Sequence, residues 1–238
     1  HMDQPQSNPS SVPLWFLAQM ARENVTVVLS GEGADEIFAG YELYADTPAM
    51  TRYKKLPRFL RRVAAKIAGI FPDGRVKGFL LKSAEKPEDW CVGQADVFPA
   101  REAKGILQPA YQNGPAALDL AAPVYARVAG KPEVRKKQYL DIHLWMPGDI
   151  LLKADRMCMA HSLELRVPFL DKVLMDMARR IPARYCIQGS ENKMVFRHAA
   201  NRTLPDEWAN RPKKGFPVPI RFWLQEEKYY RLVREHFA

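Results

Sequence analysis

The sequence predicts an α/β protein that is mostly helical, with few parallel strands. Three observations carry this. Val25 to Leu29 is a continuous apolar, largely β-branched run, the pattern of a strand buried on both faces of a parallel sheet. A glycine turn, "SGEG", and a helical pattern follow it, and a short helix precedes it, which gives the helix–strand–turn–helix order of doubly wound folds. Beyond residue 50 the apolar spacing is helical almost throughout. One clear strand cannot make a sheet, so a parallel neighbour is expected from outside this stretch.

In order along the chain, residues 3–13 are polar and proline-bearing, a loop. Leu14 to Arg22 is a helix with Leu14, Leu17 and Ala18 on one face. Arg52 to Ile70 is a basic amphipathic helix whose apolar face is Leu60, Val63, Ala64 and Ile67, and Pro72 to Gly78 breaks it. Gly93 to Ile106 mixes helix and loop, and Ala116 to Val128 is helical. Val134 to Leu152 and Leu152 to Leu163 read as two helices broken near Pro147-Gly148. Leu170 to Ile181 is a helix opened by Asp171 as N-cap and stopped by Pro182. Lys193 to Arg202 and Phe222 to Phe237 complete the helices. The leading His1-Met2 reads as a tag remnant, leaving residues 3–238 as one domain or part of one.

The chain has 238 residues and a formal net charge of +9, which admits anionic partners without choosing among them. No run of about eighteen apolar residues predicts a membrane span. Cys91, Cys158 and Cys186 are far apart, belong to no CxxC, and read as buried thiols of a reducing, cytoplasmic protein. GxxxxGK[ST] is absent, and "GEGADE" lacks the third glycine of a dinucleotide fingerprint.

The turn nevertheless sits where α/β sheets bind ligands, beyond the carboxyl end of a strand. Gly31 and Gly33 permit positive φ and close approach, Ser30 offers a hydroxyl, and the N–H groups of the next helix favour an anion. Asp35 and Glu36 at the helix head suit the dipole as caps. Beside phosphate they would repel, unless Mg²⁺ intervenes on one or two carboxylates. Glu32 lies ahead of the helix, where capping does not ask for an acid. It suits receiving an amine or positioning a nucleophile.

"LLKADRMCMAHSLELRVPFLD", residues 151–171, packs Lys153, Asp155, Arg156, His161, Glu164, Arg166 and Asp171 among apolar residues, a pattern of structural ion pairs. "GSENKMVFRHAAN" sets Lys193 at a helix head, unfavourable to the dipole unless an anion lies near. "RPKKGFPVP", residues 211–219, is a basic loop.

"VVLSGEGADEIFAGY", "LLKADRMCMAHSLELRVPFLD", "NKMVFRHA" and "RPKKGFPVP", in this order, resemble the C-terminal synthetase domain of glutamine-dependent asparagine synthetases. The resemblance runs from about Pro5 to about Trp223. It implies part of an ATP-pyrophosphatase (adenine nucleotide α-hydrolase-like) fold. The implied reaction adenylates the side-chain carboxylate of aspartate with ATP, then aminates it with ammonia from a glutaminase domain, releasing AMP and pyrophosphate. By the same resemblance, Ser30, Gly31 and Gly33 border the AMP part. Glu32 serves the acyl-adenylate and its amination, and Asp35 is a Mg²⁺ ligand. Glu36 is either a cap or an acid behind that ligand, and Lys193 steadies charge on the phosphates. The 151–171 block is mainly architectural.

Two departures follow. The family's SGGxDS pyrophosphate loop and its glutaminase domain are not in these residues, so the expectation is a C-terminal part of the synthetase domain, inactive alone, with an open sheet edge suited to dimerisation. β-Lactam synthetases, lasso-peptide cyclases and sugar amidotransferases resemble the same scaffold. β-Lactam synthetases place a tyrosine where Glu32 stands, so Glu32 favours amination. A second reading takes "RYKKLPRFLRRVAAKIAG", residues 52–69, as a nucleic-acid-binding helix. No RRM, KH or helix-turn-helix signature supports it.

Overall fold

The computed structural model describes residues 1–238 except 4, 5, 7, 73, 97, 99, 190, 214 and 238. In chain order the elements are α1 (Ser11–Arg22), β1 (Val27–Leu29), α2 (Ala34–Phe38), α3 (Pro48–Tyr53), α4 (Arg58–Ala68), α5 (Arg75–Ala84) and α6 (Ala100–Ile106). There follow α7 (Ala117–Ala126), α8 (Glu133–His143), α9 (Leu151–Met159), β2 (Glu164–Arg166), α10 (Lys172–Ala178), α11 (Met194–Ala200), α12 (Asp206–Ala209), α13 (Ile220–Trp223) and α14 (Glu227–Phe237). The mostly helical α/β class expected from the sequence is what forms. The chain divides into two units. One comprises His1–Leu29, Leu152–Arg166 and Arg211–Ala238, and the other Ser30–Leu151 and Val167–Asn210.

In the first unit β1 pairs in parallel with β2, Val27 opposite Glu164, Val28 opposite Leu165 and Leu29 opposite Arg166. The parallel neighbour thus comes from within the chain, from the "ELR" of the charged block, and is missed by sequence because its charged ends hide a three-residue strand. A further correction concerns burial. Val27 and Leu29 are 40% and 73% exposed, and only the Val28 side of β1 packs, with Leu165 against buried Ala18, Cys158 and Leu163. An unbroken apolar run reports β-branching, not that both faces are covered. The charged block is tied locally, Arg166 Nε to Glu164 Oε1 at 2.8 Å and Arg156 to Asp3 at 2.7 Å. Lys153 is buried and donates to Ser10 Oγ at 2.9 Å. His161 packs edge-on against Trp15.

In the second unit, Ile37 and Phe38 of α2 and Ala178 of α10 form a core with Phe169, Leu170, Leu174, Val195 and Phe196 around them. Phe196 stacks on Phe38. Ala39, Tyr44, Cys186 and Ile187 form a second cluster, and Ala121, Tyr125 and Leu140 join α7 to α8. α10 is capped as expected, the Asp171 carboxylate accepting from Val173 N and Leu174 N at 2.9 and 3.2 Å. All three cysteines are buried and free.

One helical expectation is corrected here. Residues 52–70 form two helices that part at Pro57, and the predicted apolar face is not packed. Leu60, Val63 and Ile67 are 45–55% exposed, while Ala65 and Ala68 are buried in the α4–α5 hairpin. Small residues allow the closer helix approach, so they take the contact. The interruption expected near Pro147-Gly148 is present, since α8 ends at His143 with Leu144 as its cap. Met146–Ile150 is a π-turn that runs into α9, wide enough for a ring with no N–H to give.

Candidate functional site

The turn after β1 is built locally. The Glu32 N–H donates to Ser30 Oγ at 3.4 Å, a serine-turn bond that leaves Gly31 exposed and Glu32 half-buried. Gly33 takes φ +93°, and a Cβ there would stand 2.5 Å from Leu170 Cδ2. Gly33 is therefore favoured by its backbone conformation, and a Cβ there would also displace the Leu170 side chain. Around Gly31 there is open space, with no atom within 4 Å of where a Cβ would be.

α2 is only five residues long, so its dipole is smaller than the sequence pattern suggested. It ends in a Schellman-type arrangement with Ala39 at φ +58°, and the N–H of Gly40 donates to Asp35 O at 2.7 Å. Ala39 holds a left-handed conformation that alanine disfavours because it is wholly buried in the core beside Tyr44 and Cys186.

The structure brings together Asp35 and Lys193, residues far apart in sequence. Lys193 Nζ lies 3.0 Å from Asp35 Oδ1, and their side chains are 19% and 26% exposed. Lys193 is the N-cap of α11 at φ +51°. The anion that the dipole argument requires near this lysine is thus supplied by the chain itself. The preceding residue, Asn192, is held from both sides. Asn192 Nδ2 donates to Gly40 O at 3.2 Å, and Arg197 Nε donates to Asn192 O at 3.1 Å.

Glu36 goes elsewhere. It is 1% exposed, and the Tyr41 hydroxyl donates to its Oε1 at 2.8 Å. Its carboxylate is not the side-chain cap of α2, whose N-cap is Gly33. Burial pushes its carboxyl up to about 7, against the hydrogen bond from Tyr41, with the negative charge of Asp35 adding to the rise. Burial likewise pushes the Tyr41 phenol up, beside Glu36. The peptide carbonyls of Glu36 and Ile37 both accept from Gln138 Nε2, at 2.7 and 2.9 Å. Behind them Asp141 accepts from the Tyr44 hydroxyl at 2.7 Å and the Gln94 N–H at 3.0 Å, and burial raises its carboxyl too.

Gln138, Tyr41, Gly40 and Asn192 are the residues that sequence reasoning missed. Gln138 sits in "RKKQYLD", where an amide among charges gives no signal. Asn192 adjoins Lys193, and Gly40 closes "GEGADEIFAG", so position alone could have drawn attention to both.

Among the described residues no group of three His, Cys, Asp or Glu side chains is placed to hold a metal. A divalent ion carried in with phosphates needs only one or two carboxylates from the protein, and Asp35 is a partly exposed carboxylate.

Strand, glycine turn and short helix follow one another along the chain in the order of an α/β domain, and an acid and a lysine meet on the short helix and the head of α11. The asparagine synthase family model matches residues 1–238, and the chain belongs to that family. It is 41% identical over 228 residues to asparagine synthetase [glutamine-hydrolyzing] 1 of Bacillus subtilis, covering 95% of this chain and 36% of the relative. It is 42% identical over 226 residues to a putative asparagine synthetase [glutamine-hydrolyzing] of Mycobacterium tuberculosis, covering 94% and 34%. Amidase chry2 of Gibberella zeae is more distant, 25% identical over 257 residues, covering 90% and 36%. The chain therefore spans about a third of the length of the two synthetases. No solved structure matches it.

Proposed function

We propose that the protein carrying this chain is an ATP-dependent ligase that makes asparagine from aspartate. The observation that carries the reading is the Asp35–Lys193 pair beyond the "SGEG" turn, in a member of the asparagine synthase family. Ser30, Gly31 and Gly33 border the AMP part of ATP. The aspartate side-chain carboxylate attacks the α-phosphorus and pyrophosphate leaves. Lys193 lies against the phosphate oxygens on which charge gathers, where a placed cation contributes most. Asp35 would hold a Mg²⁺ ion that arrives with the nucleotide, and the ion would supply further positive charge there. Ammonia then attacks the acyl carbon, its surplus proton passes to a base such as the Glu32 carboxylate, and the acyl C–O bond to phosphate breaks as AMP departs. Glu36, turned inward to Tyr41, holds α2 rather than a ligand.

The reading extends to partners and place. The relatives named glutamine-hydrolyzing support a glutaminase domain as the ammonia source. Buried free thiols, and the finding that no described helix is long and apolar enough to cross a membrane, agree with a cytoplasmic enzyme. A homodimer is part of the same reading. The amidase relatives keep a second acceptor class in view, a specialised carboxylate on the same scaffold.

The test is product analysis. The protein, ATP, Mg²⁺ and glutamine are incubated with a panel of carboxylates, and products are identified by mass spectrometry. Asparagine, with AMP in equal amount, is the expected result. AMP formation with another carboxylate but not aspartate overturns the acceptor. ADP as the nucleotide product overturns adenylation.

A further inference from the structure

We infer that Gly40 is a positioning residue of this site, the bare Cα over which Asp35 and Lys193 are seated against each other. The inference rests on the functional reading above for its catalytic consequence, though not for its geometry.

A Cβ built at Gly40 would lie 1.8 Å from Asp35 Oδ1, 2.8 Å from Asp35 Cγ and 2.3 Å from Lys193 Cε. These are its three nearest atoms, and all belong to the ion pair. Backbone conformation is not the reason for glycine here. Gly33, Gly93 and Gly189 are the described glycines with positive φ, and the left-handed residue that ends α2 is Ala39. The requirement at Gly40 is for space, and the space is filled by the acid and the lysine.

Both sides of Gly40 are fixed to the same two segments. Its N–H donates to Asp35 O at 2.7 Å, and its carbonyl accepts from Asn192 Nδ2 at 3.2 Å, next to Lys193. Arg197 braces Asn192 from one turn into α11. Gly40 is thus tied to the backbone of the acid on one side and to the neighbour of the lysine on the other. A methyl group there collides with the flexible ends of Asp35 and Lys193 rather than with the core. Those side chains swing aside and the fold stays.

The test is Gly40→Ala in the protein carrying this chain, with three readouts. Lys193 acylation by acetic anhydride, quantified by peptide mass spectrometry against exposed Lys172, reports the access of the amine. Thermal unfolding reports the fold. Aspartate-dependent ATP–pyrophosphate exchange reports adenylation. The expected result is severalfold faster labelling of Lys193, as also in Asp35→Ala, and a thermal midpoint within a few degrees of the parent. Exchange falls at least about tenfold, as for a reacting group displaced by an ångström or so. Asn192→Ala, which loosens the seat without filling it, gives a smaller change of the same sign in labelling and exchange.

Unchanged labelling and exchange in Gly40→Ala overturn the inference. A collapse of the thermal midpoint overturns it too, because the strain would then fall on the fold. Should Lys193→Ala keep full exchange, it is the functional reading that fails, and the labelling arm still decides the role of Gly40.

Discussion

Gln138 on α8 donates both its amide hydrogens to α2, to the carbonyls of Glu36 and Ile37 at 2.7 and 2.9 Å, and is itself buried. A five-residue helix has more unsatisfied carbonyls than bonded ones, and this side chain closes two of them. The Gln138 amide oxygen accepts from Arg135 at 2.8 Å, earlier on the same helix, which fixes the orientation of the amide. Gln138→Leu keeps the volume and removes the donors. It should lower unfolding stability by about 1–3 kcal/mol, the cost of buried polar groups left unpaired. Urea unfolding measures this, and an unchanged midpoint would contradict it.

The Glu36 carboxyl, pushed to about 7 from 4.5 by burial, makes stability fall as pH rises. In the window between these values the folded state holds a proton that the unfolded state has lost. Its contribution is therefore complete below 4.5 and gone above 7, a change of roughly 3 kcal/mol at about 1.4 per unit, as an upper figure. Glu36→Gln keeps an acceptor for Tyr41 and does not titrate. Stability measured from pH 4.5 to 8 should decline more steeply in the parent than in the variant, and parallel curves would sink this account.

Asp171 caps α10 through two N–H groups. Asp171→Ala should cost about 1 kcal/mol, the usual loss for such a cap. Asp171→Asn should recover most of it, which denaturant titration of the three proteins will decide.

On α4 the two faces should respond oppositely. Val63→Glu on the 55%-exposed side should change stability by less than about 0.5 kcal/mol, as surface substitutions do. Ala65→Leu, overfilling the contact with α5, should cost roughly 1–3 kcal/mol. Similar effects at both positions would mean that the stripe is packed after all.

These contrasts mark what was legible in the sequence. The strand–turn–helix, the Asp171 cap and the buried cysteines are local features, and local chemistry announces them. The meeting of Asp35 with Lys193 was approachable only through resemblance and through the oddity of a cation at a helix head. The apolar stripe of α4 illustrates the opposite case. Periodicity reveals that a helix has an apolar face but not whether anything covers it, and here the small residues took the contact. β2 hid because two of its three residues are charged, and Gln138 and Gly40 matter through contacts that no window of sequence contains.

On the proposed function, Lys193 and Asp35 act together on the phosphates during adenylation of aspartate. Aspartate-dependent ATP–pyrophosphate exchange, measured without an ammonia source in the protein carrying this chain, isolates that step. Robust exchange is expected in the parent, with a loss of about a hundredfold or more in Lys193→Ala, the scale seen when one charge-stabilising group is removed. Asp35→Asn should show a comparable loss. Exchange that persists at the parent rate in Lys193→Ala would contradict it.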